Sequence, residues 1–144
     1  TEEEAEQVKV LYRVIGELES LGDSGENISR ILERERVHNR KFDDDSISKI
    51  LTFSSKVEKG YDVMVENLKN ATSLEGVKDI SNAYASEDDI NETRNKLREE
   101  GILQIEHHTG NYQSLNYFLD MIAELEAMGD FMINVSQAIV RNDN

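Results

Sequence analysis

The chain contains one stretch of sequence twice, once near each end. Residues 15–32 read IGELESLGDSGENISRIL, and residues 122–139 read IAELEAMGDFMINVSQAI. Aligned without a gap, 8 of the 18 positions are identical. An internal repeat of this kind indicates one supersecondary unit used twice. The fold must therefore contain two copies of one structural unit, one near each end of the chain.

Amphipathic helices account for most of the chain. Proline breaks the interior of a helix, and the sequence has none, so long uninterrupted helices are possible. We find no convincing alternation of the type that indicates strands. The first helix is predicted from Glu3 to His38. Its apolar stripe is predicted to consist of Val8, Leu11, Ile15, Leu18 and Gly22, widened by Val14, Leu21, Ile28 and Leu32.

A second helix is predicted after the three aspartates at 43–45, one of which is expected to cap it. Its apolar residues from Ile47 to Leu68 follow a near-heptad pattern. Thr72 and Glu75 then have the spacing of a capping box, which predicts a short helical segment.

Two further helices complete the pattern. Ser86 is interpreted as the cap of a helix from Glu87 to His108, and the last helix is predicted from Tyr112 to Arg141. Gly22 and Gly129, which are equivalent in the repeat, are interpreted as points where a neighbouring helix approaches closely.

Four long helices with short connections predict an all-α fold, an antiparallel bundle in which residues 1–144 form a single domain. In up-down order the first and last helices, which carry the repeat, become neighbours. Their opposite directions would relate the two copies by pseudo-symmetry. The sequence leaves open whether the copies converge on one site.

The charge balance limits the kinds of partner that the chain can bind. The formal net charge is −14, from 30 acidic and 16 basic side chains, so direct binding to nucleic acid or to anionic lipid is not expected. The absence of cysteine excludes disulfides and thiolate chemistry. The apolar runs are too short to span a bilayer. Because the sequence begins without methionine, we expect it to be a piece of a longer protein.

The repeat also contains a row of acidic residues. A spacing of four puts Glu19 and Asp23 on one face of the first helix, and Glu126 and Asp130 on one face of the last. Like charges at this spacing repel each other unless a cation is bound, and hard cations prefer carboxylate and amide oxygens. These four residues are the candidate metal ligands. The second-rank candidates, one turn further on, are Asn27 and Asn134. A solvated helix edge explains the same pattern without any metal.

The segment ELESLGD followed by Asn27-Ile28, and the segment ELEAMGD followed by Asn134-Val135, resemble the twin signatures of the PhoU family. The resemblance covers most of the chain. It implies an all-helical, PhoU-like bundle with spectrin-like up-down packing, and iron, zinc or nickel ions bound at the acidic motif. The chain departs from a free-standing PhoU protein in its short length. Ser20 and Ala127 also stand where the family usually has arginine.

The resemblance implies that the chain is a regulatory or accessory cytoplasmic domain of a bacterial sodium-dependent phosphate transporter, and we expect it on the cytoplasmic side of the inner membrane. The sequence contains no nucleophile–base constellation, no phosphate-binding glycine loop and no nucleotide motif, so no catalysis is expected. The expected partner is the transmembrane part of the same transporter, with a homodimer as a further option and no role for nucleic acid.

Two other classes of function compete with this one. A metal-free bundle whose acidic face docks a basic partner explains the composition as well as a metal site does. A di-metal oxidase in a four-helix bundle requires Glu-x-x-His on two helices. Only Glu35 and His38 have that spacing, and His107 and His108 are interpreted as helix-end residues. An oxidase is therefore not expected.

Overall fold

The computed structural model describes residues 1–39 and 41–141. It contains four α-helices: α1 (Glu2–Val37), α2 (Asp44–Ala71), α3 (Ser81–Glu106) and α4 (Tyr112–Ala138). The described residues contain no strand, only an isolated parallel bridge between Val77 and Val140. The helices pack against one another in up-down order, so the predicted all-α antiparallel bundle is confirmed.

The first two helices begin close to where the sequence indicates. Thr1 and Glu4 form a reciprocal capping box at the start of α1. Asp43 caps α2, and its Oδ1 accepts a hydrogen bond of 2.7 Å from the backbone nitrogen of Ser46. This bond to the ionised carboxylate holds the pKa of Asp43 below its usual range. The predicted aspartate cap is therefore confirmed.

The prediction of a short helix at Thr72 and Glu75 is wrong. Thr72 ends α2, because its hydroxyl donates to the carbonyl oxygen of Lys69 at 2.8 Å instead of capping the residues that follow. A turn follows in which Gly76 has a φ of 68°, a conformation that favours glycine. The chain between α2 and α3 is thus a turn and not a helix.

The third helix starts earlier than predicted, at Ser81 instead of Glu87. Asp79 accepts a hydrogen bond of 2.8 Å from the backbone nitrogen of Ser81, so this aspartate satisfies a backbone donor at the start of the helix. Ser86 lies inside α3 and caps nothing, which corrects its predicted role.

The fourth helix ends at Ala138, three residues before the predicted end at Arg141. The backbone nitrogen of Arg141 donates to the carbonyl oxygen of Val77 at 2.7 Å, and Val140 forms the bridge to Val77. These long-range contacts take the chain out of the helix, and local sequence gives no sign of them.

α4 is the central helix of the bundle. It packs against α2 and α3, which also pack against each other, and against α1 on another face. Among the described residues α1 contacts no helix other than α4. The most deeply buried side chains lie on α2, α3 and α4 and include Phe53, Met64, Ile90, Ile122 and Val135. The fold is thus a three-helix bundle of α2, α3 and α4 with α1 added along α4.

The apolar stripe predicted on α1 is not the face that packs. Val8, Leu11, Ile15 and Leu18 are exposed, and so is Leu32. Of the residues expected only to widen the stripe, Val14, Leu21 and Ile28 belong to the core cluster. The packing face of α1, at heptad spacing, consists of Val10, Val14, Leu21, Ile28 and Ile31. The prediction fails because α1 has one partner helix within residues 1–39 and 41–141, and that partner covers only one of the two apolar faces of α1.

No helix in the described part of the chain is long and apolar enough to cross a membrane.

Candidate functional site

The two copies of the repeat lie on α1 and α4, which pack side by side in opposite directions. Asn27 on α1 donates from Nδ2 to Oε1 of Glu124 on α4 at 3.2 Å. Asn134 on α4 donates from Nδ2 to Oε2 of Glu17 on α1, also at 3.2 Å. Asn27 is equivalent to Asn134 in the repeat, and Glu17 to Glu124, so the two hydrogen bonds are the same interaction made twice.

The apolar contacts between the two helices follow the same symmetry. The α4 residues equivalent to the packing face of α1 are themselves in the core cluster, and they are Tyr117, Met121, Met128, Val135 and Ala138. The interface is therefore self-complementary within one chain, like the interface of a two-fold dimer. This confirms the predicted neighbourhood and pseudo-symmetry of the repeats.

Glu126, a predicted metal ligand, forms an ion pair with Arg94 of α3. Both side chains are about one-fifth exposed, at 21 % each. An arginine in contact with a carboxylate supplies the positive charge that the sequence pattern was interpreted to require. Sequence reasoning missed Arg94, because no local pattern on α3 indicates which of its basic residues faces α4.

Asp130, one turn after Glu126, is on the same side of α4. Its carboxylate is partly desolvated by neighbouring atoms, which raises the pKa of Asp130, while Arg94 acts in the opposite direction. Partial burial also raises the pKa of Glu87 on α3, with Asp130 and Asp88 adding repulsion. Desolvation is thus the main cause of both raised pKa values, and repulsion between carboxylates contributes only at Glu87.

Glu19 and Asp23, the equivalent pair on α1, are exposed. Neither residue takes part in an ion pair within residues 1–39 and 41–141. The same residues contain no group of three or more His, Asp or Glu side chains able to hold one metal ion. The two acidic pairs therefore remain separate pairs, and neither is joined by a histidine.

The second-rank ligands have a different role in the structure. The side-chain amides of Asn27 and Asn134 are engaged with Glu124 and Glu17 and connect the two copies of the repeat. A signal for this was present, because Glu17 and Glu124 are also identical between the copies.

A buried polar group lies on the α2-facing side of α4. Nδ2 of Asn67 donates to Oγ of Ser136 at 3.1 Å, and Asn67 exchanges hydrogen bonds with Asn82 at 3.1 and 3.2 Å. Ser136 is fully buried and is one of the identical repeat positions. In α4, therefore, residues shared by the two copies pack against α2 and α3 as well as against α1.

Comparison with protein-family models, with curated proteins and with solved structures found no match to this chain. The resemblance to PhoU proteins accordingly depends on the twin signatures themselves.

Proposed function

We propose that this chain is a non-enzymatic regulatory module of phosphate transport that acts by binding, as the PhoU resemblance implies. The observation that supports the proposal is the arrangement of the two signatures on packed helices, joined by the reciprocal bonds of Asn27 with Glu124 and of Asn134 with Glu17. In this proposal the chain is an accessory domain on the cytoplasmic side of a bacterial sodium-dependent phosphate transporter, in contact with its transmembrane part.

The first version of the proposal includes metal ions. Iron, zinc or nickel would be held by the carboxylates of Glu126 and Asp130 on α4 and of Glu19 and Asp23 on α1. The raised pKa of Asp130 favours this version, because a cation would relieve an ionised carboxylate that its surroundings disfavour. Each pair supplies two carboxylates, so further ligands would have to come from solvent or from a partner, and Glu126 would have to leave Arg94.

Isothermal titration with Fe²⁺, Zn²⁺ and Ni²⁺ tests this version on the intact chain. The variants are Glu126→Gln with Asp130→Asn, and the matched pair Glu19→Gln with Asp23→Asn. We expect at least one pair of substitutions to weaken binding strongly, because carboxylates supply the proposed ligands. An affinity that neither pair changes would remove the proposed metal site.

The second version is a metal-free interaction module with an acidic docking face. It is favoured by the ion pair of Glu126 with Arg94, since an internal cation already fulfils the role assigned to a metal. Metal analysis of protein purified without chelators and without a nickel column separates the two versions. Protein that contains no bound metal and takes up none in titration supports the second version, and stoichiometric metal supports the first.

A further inference from the structure

The last helix ends at a point where the equivalent part of the first helix continues. Residues 139–141, which we call the strap, follow Ala138, the last residue of α4, and read Ile-Val-Arg. When the alignment of the repeat is continued to the strap, its equivalents are residues 32–34, Leu-Glu-Arg, which lie inside α1. The strap contains neither glycine nor proline, the residues that most often end a helix. Local sequence therefore does not account for the end of α4.

Contacts with the turn between α2 and α3 take the place of a further helical turn. The backbone nitrogen of Arg141 donates to the carbonyl oxygen of Val77 at 2.7 Å, and Val140 pairs with Val77 in the parallel bridge. Nη1 of Arg141 also donates to the carbonyl oxygen of Leu74 at 2.9 Å. In a longer helix the same backbone nitrogen would bond to the carbonyl oxygen four residues earlier. The two conformations of the strap therefore exclude each other.

The strap covers a small apolar cluster that is distinct from the main core. We call it the Val77 cluster, and its buried members are Val77, Ile80, Ala83 and Ile133. Ile139 and Val140 of the strap are half-buried and pack against it. Two members, Val77 and Ile80, precede α3 and belong to the connection that the strap contacts. Release of the strap would therefore expose apolar side chains at this end of the bundle.

A buried polar group holds the three helices together beside the cluster. Asn67 of α2 is hydrogen-bonded to Ser136 of α4 and to Asn82 of α3. Ser136 lies one helical turn before the strap, and Asn82 precedes Ala83 of the Val77 cluster. Breaking a satisfied polar network in a buried place is costly, and Asn67 and Ser136 are 2 % and 0 % exposed. Opening of the strap is therefore a local event that leaves the bundle intact.

From these observations we propose that the strap is a conformational switch built into the end of α4. In the closed state, which is the one described above, the strap covers the Val77 cluster. In the open state the same residues add a turn to α4, as their equivalents do in α1, and the cluster is exposed. Val140 favours the closed state, because α1 has Glu33 at the equivalent position. This inference goes beyond the regulatory proposal, since it does not depend on the acidic pairs or on phosphate transport.

Thiol labelling of the intact chain tests the local opening. The chain has no cysteine, so one introduced thiol reports on one position. Val77→Cys puts the thiol in the Val77 cluster, and Val57→Cys is the matched control in the main core, since the two valines are 6 % and 5 % exposed. We expect the Val77→Cys variant to react with Ellman's reagent at least about tenfold faster. Its rate should also depend less on urea, because a local opening exposes less surface than unfolding.

A substitution taken from α1 tests the direction of the switch. Val140→Glu introduces the residue that α1 has at the equivalent position and removes an apolar contact of the strap. We expect it to speed labelling of the Val77→Cys variant by about fivefold. The ¹³Cα chemical shifts of residues 139–141 should become helical at the same time. Leu74→Glu is the matched control, because it adds the same charge at the same end of the bundle on a side chain that is 98 % exposed.

Hydrogen exchange on the unsubstituted chain provides an independent measurement. The amide of Arg141 should exchange through a much smaller opening than the amide of Leu125, which lies in the middle of α4. Equal protection of these two amides overturns the proposal, as do equal labelling rates for Val77→Cys and Val57→Cys. The proposal also fails if the strap stays non-helical in Val140→Glu, or if Leu74→Glu speeds labelling as much as Val140→Glu. A negative metal titration leaves all of these outcomes unaffected.

Discussion

Gly22 and Gly129 provide a matched pair of substitutions in one molecule. They occupy equivalent positions of the repeat, each inside a long helix, and they differ in what surrounds them. Replacing either one with alanine gains the same helix propensity, about 1 kcal/mol. The difference between the two variants therefore reports tertiary packing with the propensity contribution cancelled.

The structure gives the magnitude of that difference. The new methyl group at residue 22 would have no neighbour within 4 Å, so Gly22→Ala should raise the unfolding free energy by about 1 kcal/mol. At residue 129 the methyl group would lie 3.2 Å from Cγ2 and 3.4 Å from Cδ1 of Ile90. Ile90 is 2 % exposed and also packs over Gly60, so it has little room to move. Overpacking of this kind costs about 1–3 kcal/mol.

Urea unfolding followed by circular dichroism measures both variants, with thermal melts as a check. We expect Gly22→Ala to raise the melting temperature by about 2–4 °C. Gly129→Ala should be less stable than Gly22→Ala by about 1–3 kcal/mol. Equal changes in the two variants would refute the inference that α3 approaches α4 closely and that α1 lacks a corresponding neighbour.

Two further outcomes are expected. Asn27→Ala and Asn134→Ala should each lower the unfolding free energy by about 1 kcal/mol, because each substitution removes one of the two reciprocal hydrogen bonds. Urea unfolding measures both losses, and unequal losses would contradict the pseudo-symmetry. Asp130→Asn should raise the melting temperature at pH 7. The folded state raises the pKa of Asp130, so its ionised form costs stability above that pKa, and protonation removes the cost as the pH falls. The gain should therefore shrink in acid, and melts across the acidic range would contradict this reasoning if the gain stayed constant.

Several parts of the structure follow from local sequence. The helical periods, the absence of proline and the cap at Asp43 predict α1, α2 and α4 to within a few residues. The connection after α2 was predicted wrongly, because the Thr72 hydroxyl can bond backwards to Lys69 or forwards, and the sequence does not decide between them. The end of α4 depends on Val77, which is distant in sequence.

The candidate site was likewise predicted only in part from the sequence. The repeat identified Glu126, Asp130 and their equivalents as acidic pairs, since spacing alone puts them on one helix face. The cation that meets Glu126 is Arg94, and only the packing of α3 against α4 brings the two together. The metal role of the acidic pairs stays a prediction.

The sequence by itself determined that the chain is helical, that its first and last helices are two versions of one unit, and which residues they share. These features depend on local periodicity and on identity between segments, and both can be recognised without knowing what lies nearby. Only the tertiary structure decided how the shared residues are used. Burial depends on neighbours, so Ile122 lies in the core while the same residue in the other copy, Ile15, faces solvent.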